Sequence, residues 1–409
     1  MKNLKGRAVF AQSGGPTAVI NSSIAGGLIE ALNQDLITDV LCALHGIKGV
    51  LTEDFVDIGK EDLSELYALK NTPASEFGSV RYKLKDFNVD DTDYKKILEI
   101  FKKYDVKYFF YNGGNDSMDT CDKISRFMEK EGYPVNVIGI PKTIDNDLVG
   151  TDHCPGYGSA AKYVATTITE VYKDAVIYES PLVIVLEIMG RNAGWLTASS
   201  ALASLTGCGA DLIYLPEIPF SLEKFKNDVK KVVDEKRVCI VAVSEGIKNA
   251  EGKYVGEDAS ATDVFGHSSL GGVCGVLKSA VKSIGYKCKA IELNILQRCA
   301  SHVASKTDVE EAFEVGRQSV IHAVNGETDK MIAYVRRDGE YALDFVGKDL
   351  STIANAEKTV PLEWINKDGT GLTQEFIDYA LPLIQGEPER RIENGLPSYA
   401  KLKMIKFKL

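Results

Sequence analysis

Seven consecutive residues, Pro141-Lys142-Thr143-Ile144-Asp145-Asn146-Asp147, place one cation and two carboxylates on a single short stretch. Moving a phosphoryl group needs those parts: positive charge on the group in flight, a base for the attacking hydroxyl and a carboxylate for a divalent metal. The stretch follows Val135–Ile140, an apolar run that reads as a strand, so it is a loop at a strand's carboxyl end rather than an arbitrary surface turn. Gly113-Gly114-Asn115-Asp116 follows a second such run, and Ser13-Gly14-Gly15-Pro16 a third. Paired glycines let a backbone approach an anion closely. Each pair alone also fits a tight strand–helix turn.

Cations elsewhere could complete such a site. Arg81, in Gly78-Ser79-Val80-Arg81, and Arg191, Lys289 and Arg298 are candidate phosphate ligands. A lone cation is by default a solvated surface group. Arg191 and Arg298 stand out because each closes an apolar run. Gly156-Tyr157-Gly158-Ser159-Ala160-Ala161 fits the G-x-G-x-x-A form of the dinucleotide fingerprint, which would make the chain an NAD dehydrogenase. That fingerprint directly follows a strand, and Thr151–Pro155 is not one. A helix start packed against a neighbour fits better. No G-x-x-x-x-G-K-[ST] is present, which disfavours a P-loop nucleotide enzyme.

The elements that must position these residues repeat one pattern. An apolar run, a glycine or polar loop and a helical stretch follow one another. Arg7–Gln12, Val106–Tyr111, Val135–Ile140, Leu182–Ile188 and Val238–Val243 read as strands. Helices are expected over Asn21–Asn33, from Asn112–Asp116 through about Lys130, and near Ala193–Ser204. Alternating strands and helices imply parallel sheets covered on both faces. The near-continuous apolar run Leu182–Ile188 fits a strand buried on both sides. Asp308 followed by Glu311 reads as a capping box, and Asp338-Gly339 as the turn of a hairpin across Met331–Phe345. Ligands of open parallel sheets sit beyond the carboxyl ends of the strands. Here those ends carry SGG, GGND, PKTIDND, MGR and SEG.

The chain has 409 residues, 44% hydrophobic and 26% charged, so two or three globular domains are expected. A net charge of −10 gives no general field for nucleic acid or anionic lipid, so an anionic ligand needs a local cationic site. No apolar run is long enough to span a membrane, and the N-terminal apolar stretch is too short for a secretion signal. The eight cysteines show no C-x-x-C pair and the five histidines no zinc spacing, consistent with reduced thiols in the cytoplasm.

Taken together, these motifs resemble the phosphofructokinase family, and within it the diphosphate-dependent members, over about residues 7–325. Two positions carry that finer resemblance. ATP-dependent members have glycine where this chain has Lys142 and Asp116. A carboxylate where a nucleotide's α-phosphate would lie repels it. Unit charges ~4 Å apart at an effective dielectric of ~20 interact by ~4 kcal/mol, of order a thousandfold in affinity. Lys142 would then hold the departing phosphate.

The resemblance implies an α/β architecture of two doubly wound, largely parallel-sheet domains with the active site in the cleft between them. The expected boundaries are 1–155, completed by part of 299–409, and 156–298, with 346–409 an extension of unknown role. It implies Mg²⁺-dependent, reversible transfer from diphosphate to the C1 hydroxyl of D-fructose 6-phosphate, a step of glycolysis or gluconeogenesis. By the same resemblance Asp145 is the base, and Asn115 and Asp147 hold Mg²⁺. Gly14, Arg81, Gly114 and Lys142 contact diphosphate, with Asp116 and Lys142 acting in catalysis. Thr143, Ile144, Asp145, Met189, Gly190, Arg191, Glu245, Lys289 and Arg298 contact the sugar phosphate. A cytoplasmic homodimer or homotetramer is implied, with small-molecule substrates and no nucleic-acid or membrane partner.

Departures from the family pattern leave alternatives. Asn115 stands where an Asp is usual, no His lies near Arg298, and Lys289 and Leu182 occupy arginine positions. These changes admit sedoheptulose 7-phosphate as a substrate. The further alternatives are an ATP-dependent enzyme and a non-catalytic regulatory subunit that binds sugar phosphate.

Overall fold

The computed structural model describes residues 4–262, 268–270, 272–354 and 356–409. In chain order the strands begin with β1 (Gly6–Gln12), β2 (Ile37–Ala43), β3 (Phe55–Asp57), β4 (Val106–Gly113) and β5 (Asn136–Pro141). Next come β6 (Leu182–Ile188), β7 (Leu212–Tyr214), β8 (Val238–Ser244), β9 (Glu257–Thr262), β10 (Ser268–Leu270) and β11 (Lys287–Glu292). The hairpin β12 (Lys330–Arg336) and β13 (Leu343–Asp349) follows. Among the described residues the larger sheet has seven strands, in the order β13-β12-β5-β4-β1-β2-β3. Only its edge strands β13 and β3 run antiparallel to their neighbours. The second sheet, β11-β6-β8-β7, is parallel throughout.

Burial on both faces explains the apolar runs. In β1, Ala8 and Phe10 pack on the side of the helices Ile20–Leu32 and Lys306–Val324, while Val9 and Ala11 pack on the side of Thr92–Lys103 and Asn115–Lys130. In β6, Ile184 and Leu186 face one core and Val183 and Val185 the other. Two-sided parallel sheets are thus present in both halves. Helices Ile20–Leu32 and Lys306–Val324 touch backbone to backbone. A Cβ at Gly26 would overlap the Phe313 carbonyl, and one at Gly316 the Ser23 carbonyl. Glycine permits this close approach, which seats the returning chain on the first sheet.

Residues beyond β13 serve both cores. Val360, Ile365, Phe376, Ala380 and Leu383 pack into the core of the second sheet. The final stretch returns to the first sheet, where Phe407 N–H donates to Phe55 O at 2.9 Å and Ile405 O accepts from Asp57 N–H at 2.8 Å. This shields an edge that would otherwise stay open.

The expected hairpin is present: Arg336 pairs with Leu343, and Arg337 N–H donates to Ala342 O at 3.0 Å, with Asp338-Gly339 inside the connection. One local expectation needs correction. The helix N-cap is Ser305, whose hydroxyl accepts from Asp308 N–H at 3.5 Å. Asp308 lies inside the helix, and its carboxylate instead accepts from Gly156 N–H and Ser159 N–H, each at 2.9 Å.

Candidate active site

In the larger sheet the chain passes from β1 to β2 on one side and later to β4 on the other. The crevice between the carboxyl ends of β1 and β4 is therefore a topological switch point, where open parallel sheets bind ligands. Gly14 follows β1 with φ +78°, a conformation that suits glycine. Ser79 Oγ donates to Gly14 O at 2.6 Å and Ser13 Oγ to Val80 O at 3.2 Å, which ties the glycine loop to the segment carrying Arg81. At the end of β4, a Cβ at Gly113 would overlap the Ser117 hydroxyl. Gly114 then caps the helix Asn115–Lys130, whose first residues line the crevice.

The loop after β5 crosses this crevice. Lys142 is 3% exposed, and its Nζ donates to Gly15 O at 2.6 Å. Burial holds its pKa down to about 8, against an opposing pull from Asp145 and with a further push from Arg298. Asp145 and Asp147 shift the other way. Burial raises both, helped by Glu245 on Asp145 and by Asp145 on Asp147. Two acids this enclosed resist ionising together until positive charge arrives.

Asn115 Nδ2 donates to Asp147 Oδ2 at 3.2 Å, while Asn115 Oδ1 is buried without a hydrogen-bond partner. An orphaned amide oxygen beside a carboxylate is oxygen-ligand chemistry suited to Mg²⁺. Among the described residues no group of three or more His, Cys, Asp or Glu is arranged to hold a metal. The fit is therefore to an ion that takes few protein ligands and fills its shell with water and phosphate oxygens, as Mg²⁺ does.

The second sheet supplies the opposite wall. Met189-Gly190-Arg191 follows β6 and Glu245 follows β8. Gly190, at φ +136°, donates its N–H to Glu245 Oε1 at 3.3 Å and accepts from Ser244 Oγ at 2.6 Å. Met189 N–H donates to Gln297 Oε1 at 3.2 Å, which anchors the turn to the segment bearing Arg298. Burial raises the Glu245 carboxyl. Arg298 reaches the first wall: a Cβ at Gly15 would stand 3.2 Å from its guanidinium. It therefore sits where the two halves of the cleft meet, beside Lys142.

One cleft of about 810 Å³ brings together Gly14, Arg81, Gly114, Asn115, Asp116, Lys142, Thr143, Ile144, Asp145, Asp147, Met189, Arg191, Glu245 and Arg298. Gly190, expected to contact the sugar phosphate, is not among the lining residues, unlike its neighbours Met189 and Arg191. Lys289 does not line the cleft; it projects from the edge strand β11, 3.8 Å from Asp174 and over the Tyr178 ring. Asp116 and Lys142 share the cleft, but Asp116 is at its mouth, 65% exposed and 3.8 Å from Lys83. The repulsion expected there is correspondingly weaker. In water-like dielectric, charges ~4 Å apart interact by ~1 kcal/mol, about fivefold in affinity.

Sequence reasoning missed several lining residues, among them Thr17, Tyr82, Asn192, Tyr254 and Glu357. Glu357 Oε1 accepts from Asn192 Nδ2 at 2.8 Å. Asn192, adjacent to Arg191, was within reach of the strand-end argument; Glu357 lies in the stretch without motifs. The fingerprint at Gly156–Ala161 does open a helix, Tyr157–Ala175, but the Asp308 carboxylate already occupies its first amides. An anionic cofactor phosphate has no place there.

Two largely parallel sheets facing each other across an anion-suited cleft define a class, and the chain belongs to the phosphofructokinase family. The family model, Phosphofructokinase, matches residues 7–320. The chain is 45% identical to the pyrophosphate–fructose 6-phosphate 1-phosphotransferase of Halomonas elongata, covering 98% of this chain and 99% of that one. It is also 45% identical to the protein of the same name from Methylococcus capsulatus, covering 97% and 95%. Among solved structures it is similar to the pyrophosphate-dependent phosphofructokinase of Nitrosospira multiformis, with TM-score 0.91, 40% identity and coverage of 99% and 98%.

Proposed function

We propose that this chain catalyses reversible phosphoryl transfer from diphosphate to the C1 hydroxyl of D-fructose 6-phosphate, giving fructose 1,6-bisphosphate and phosphate. The observation that carries this reading is the buried Lys142 amine against the Gly14–Gly15 loop, in one cleft with Asp145, Asp147, Glu245 and Arg298. Diphosphate lies along the glycine loops and Arg81, and the sugar phosphate lies against Met189–Arg191 and Glu245. Asp145 takes the C1 hydroxyl proton as the oxygen attacks the near phosphorus. The bond to the far phosphate breaks, and its electron pair leaves on the phosphate held by Lys142. Arg298, at the seam of the two walls, bears on the group in transit. Mg²⁺, when bound, neutralises charge on the diphosphate oxygens; Asn115 and Asp147 would hold it.

The working form is a cytoplasmic homodimer or homotetramer. Lys289, pointing outward from an edge strand, would serve a neighbouring subunit's site rather than its own. All eight cysteines are free thiols, in keeping with a reducing compartment.

The test is a panel of phosphoryl donors on purified protein with Mg²⁺: diphosphate, ATP and ADP, each with fructose 6-phosphate and sedoheptulose 7-phosphate. Diphosphate with fructose 6-phosphate is expected to give the highest kcat/KM. Preference for ATP would overturn the donor assignment. Binding of sugar phosphate without any turnover would favour a regulatory subunit.

A further inference from the structure

Asn146, between the two carboxylates of the catalytic loop, has φ +55°. The left-handed region is unfavourable for an ordinary residue, is tolerated best by Asn among non-glycine residues, and persists where surroundings impose it. Here the surroundings do so. Asn146 is fully buried, and both ends of its amide are engaged. Its Oδ1 accepts from Cys154 N–H at 2.9 Å, and its Nδ2 donates to Tyr379 Oη at 2.8 Å. The Tyr379 hydroxyl in turn donates to Asp152 O at 2.9 Å.

Lys358 grips the same segment from another side. Its N–H donates to Asp147 O at 2.8 Å, and its Nζ donates to Thr151 O at 3.1 Å and Asp152 O at 2.7 Å. Both residues are anchored in the core of the second sheet. The Tyr379 ring packs against Trp195 and Trp364, each with centroids 5.3 Å away, and Trp195 Nε1 donates to Lys358 O at 2.8 Å. The loop carrying Asp145 and Asp147 grows from the first sheet, yet it is clamped by a stretch seated on the second.

We infer that Tyr379 and Lys358 are positioning residues, which hold the Asn146 turn in the conformation that presents Asp145 and Asp147 to the cleft together. The inference rests on the roles proposed above for those two aspartates. It gives the C-terminal stretch a function in the reaction, through polar atoms at its tip rather than through bulk alone. Small misplacements of reacting groups are costly, with 1 Å worth as much as about a hundredfold in rate.

Tyr379→Phe removes one oxygen and keeps the ring packing; Lys358→Met keeps the stem over Trp195. Both are expected to lower kcat at least about tenfold, with KM for diphosphate and fructose 6-phosphate within about twofold of wild type. Ile184→Val thins the same core from its sheet side, and is expected to lower Tm while leaving kcat near wild type. Hydrogen exchange supplies a readout independent of turnover. The Cys154 amide, which bonds Asn146, should exchange faster in Tyr379→Phe and Lys358→Met than in Ile184→Val. Unchanged kcat in the first two variants, unchanged exchange, or an equal kcat loss in Ile184→Val would each overturn the inference. If the wild type does not turn over diphosphate and fructose 6-phosphate, the functional reading fails instead, and the exchange result alone decides the clamp.

Discussion

The ε-amine of Lys142 donates to the carbonyl oxygen of Gly15 at 2.6 Å, joining a loop from β5 to a loop from β1 that lies 127 residues earlier. The amine is thereby stored, desolvated, at the place where an incoming anion would take over its hydrogen bonds. Lys142→Met should leave the fold intact and remove this charge. Loss of one preorganised transition-state contact costs about 10²–10³ in kcat. Steady-state kinetics with diphosphate should show a fall of that order, with KM for fructose 6-phosphate little changed.

The same burial sets a pH dependence. With its pKa held to about 8, Lys142 binds fewer protons in the folded state than in the unfolded chain from about pH 8 up to the ordinary lysine value. Its contribution to folding stability therefore rises with pH across that window. Binding of diphosphate runs the opposite way, because the neutral amine attracts it less. kcat/KM for diphosphate should fall above about pH 8, while kcat at saturating diphosphate holds to higher pH because the bound anion stabilises the charged amine. Lys142→Arg, which stays charged, should move the basic limb upward. A basic limb unmoved by that substitution would count against Lys142 as its source.

Asp116 should discriminate against ATP, but modestly. Its exposure at the cleft mouth and its proximity to Lys83 limit the repulsion. Asp116→Gly alone is expected to raise kcat/KM for ATP by about fivefold, and Asp116→Gly with Lys142→Gly to raise the ATP-to-diphosphate ratio far more, chiefly by impairing diphosphate. Competition between the two phosphoryl donors in one assay measures that ratio directly.

Asn115 should tune the metal. Asn115→Ala removes the orphaned oxygen and is expected to raise the Mg²⁺ concentration for half-maximal rate by about tenfold. Asn115→Asp adds charge beside Asp147 and should lower it. Titration of activity with Mg²⁺ at fixed diphosphate separates the two outcomes.

Asp308 should matter to stability rather than to chemistry. Its carboxylate caps the helix Tyr157–Ala175 from another helix. Asp308→Ala is expected to cost about 2 kcal/mol in a urea titration, near the upper end for loss of a helix cap, with KM values unaltered.

Much of the site was legible because its chemistry is local. Lys142, Asp145 and Asp147 sit within six residues, and the glycine turns follow apolar runs whose two-sided burial marks them as central strands. β2 and β3 escaped notice because Ile37–Ala43 mixes polar and apolar residues and Phe55–Asp57 is only three residues long. The helix start at Ser305 was misplaced because Ser305-x-x-Asp308 and Asp308-x-x-Glu311 have the same spacing. The choice between them falls to Gly156 and Ser159, some 150 residues away.

The amino-acid order by itself determined the family, the largely parallel sheets and the loop that brings Lys142, Asp145 and Asp147 to the cleft, since strand burial and turn chemistry are written in neighbouring residues. Tertiary structure alone decided that Lys142 is buried and Asp116 exposed, that Lys289 points away from the cleft, that Glu357 lines it, and that Lys358 and Tyr379 come from a distant part of the chain to meet the loop of Asp145–Asp147. Desolvation and hydrogen bonding depend on which distant segments are brought together, and no local pattern encodes that.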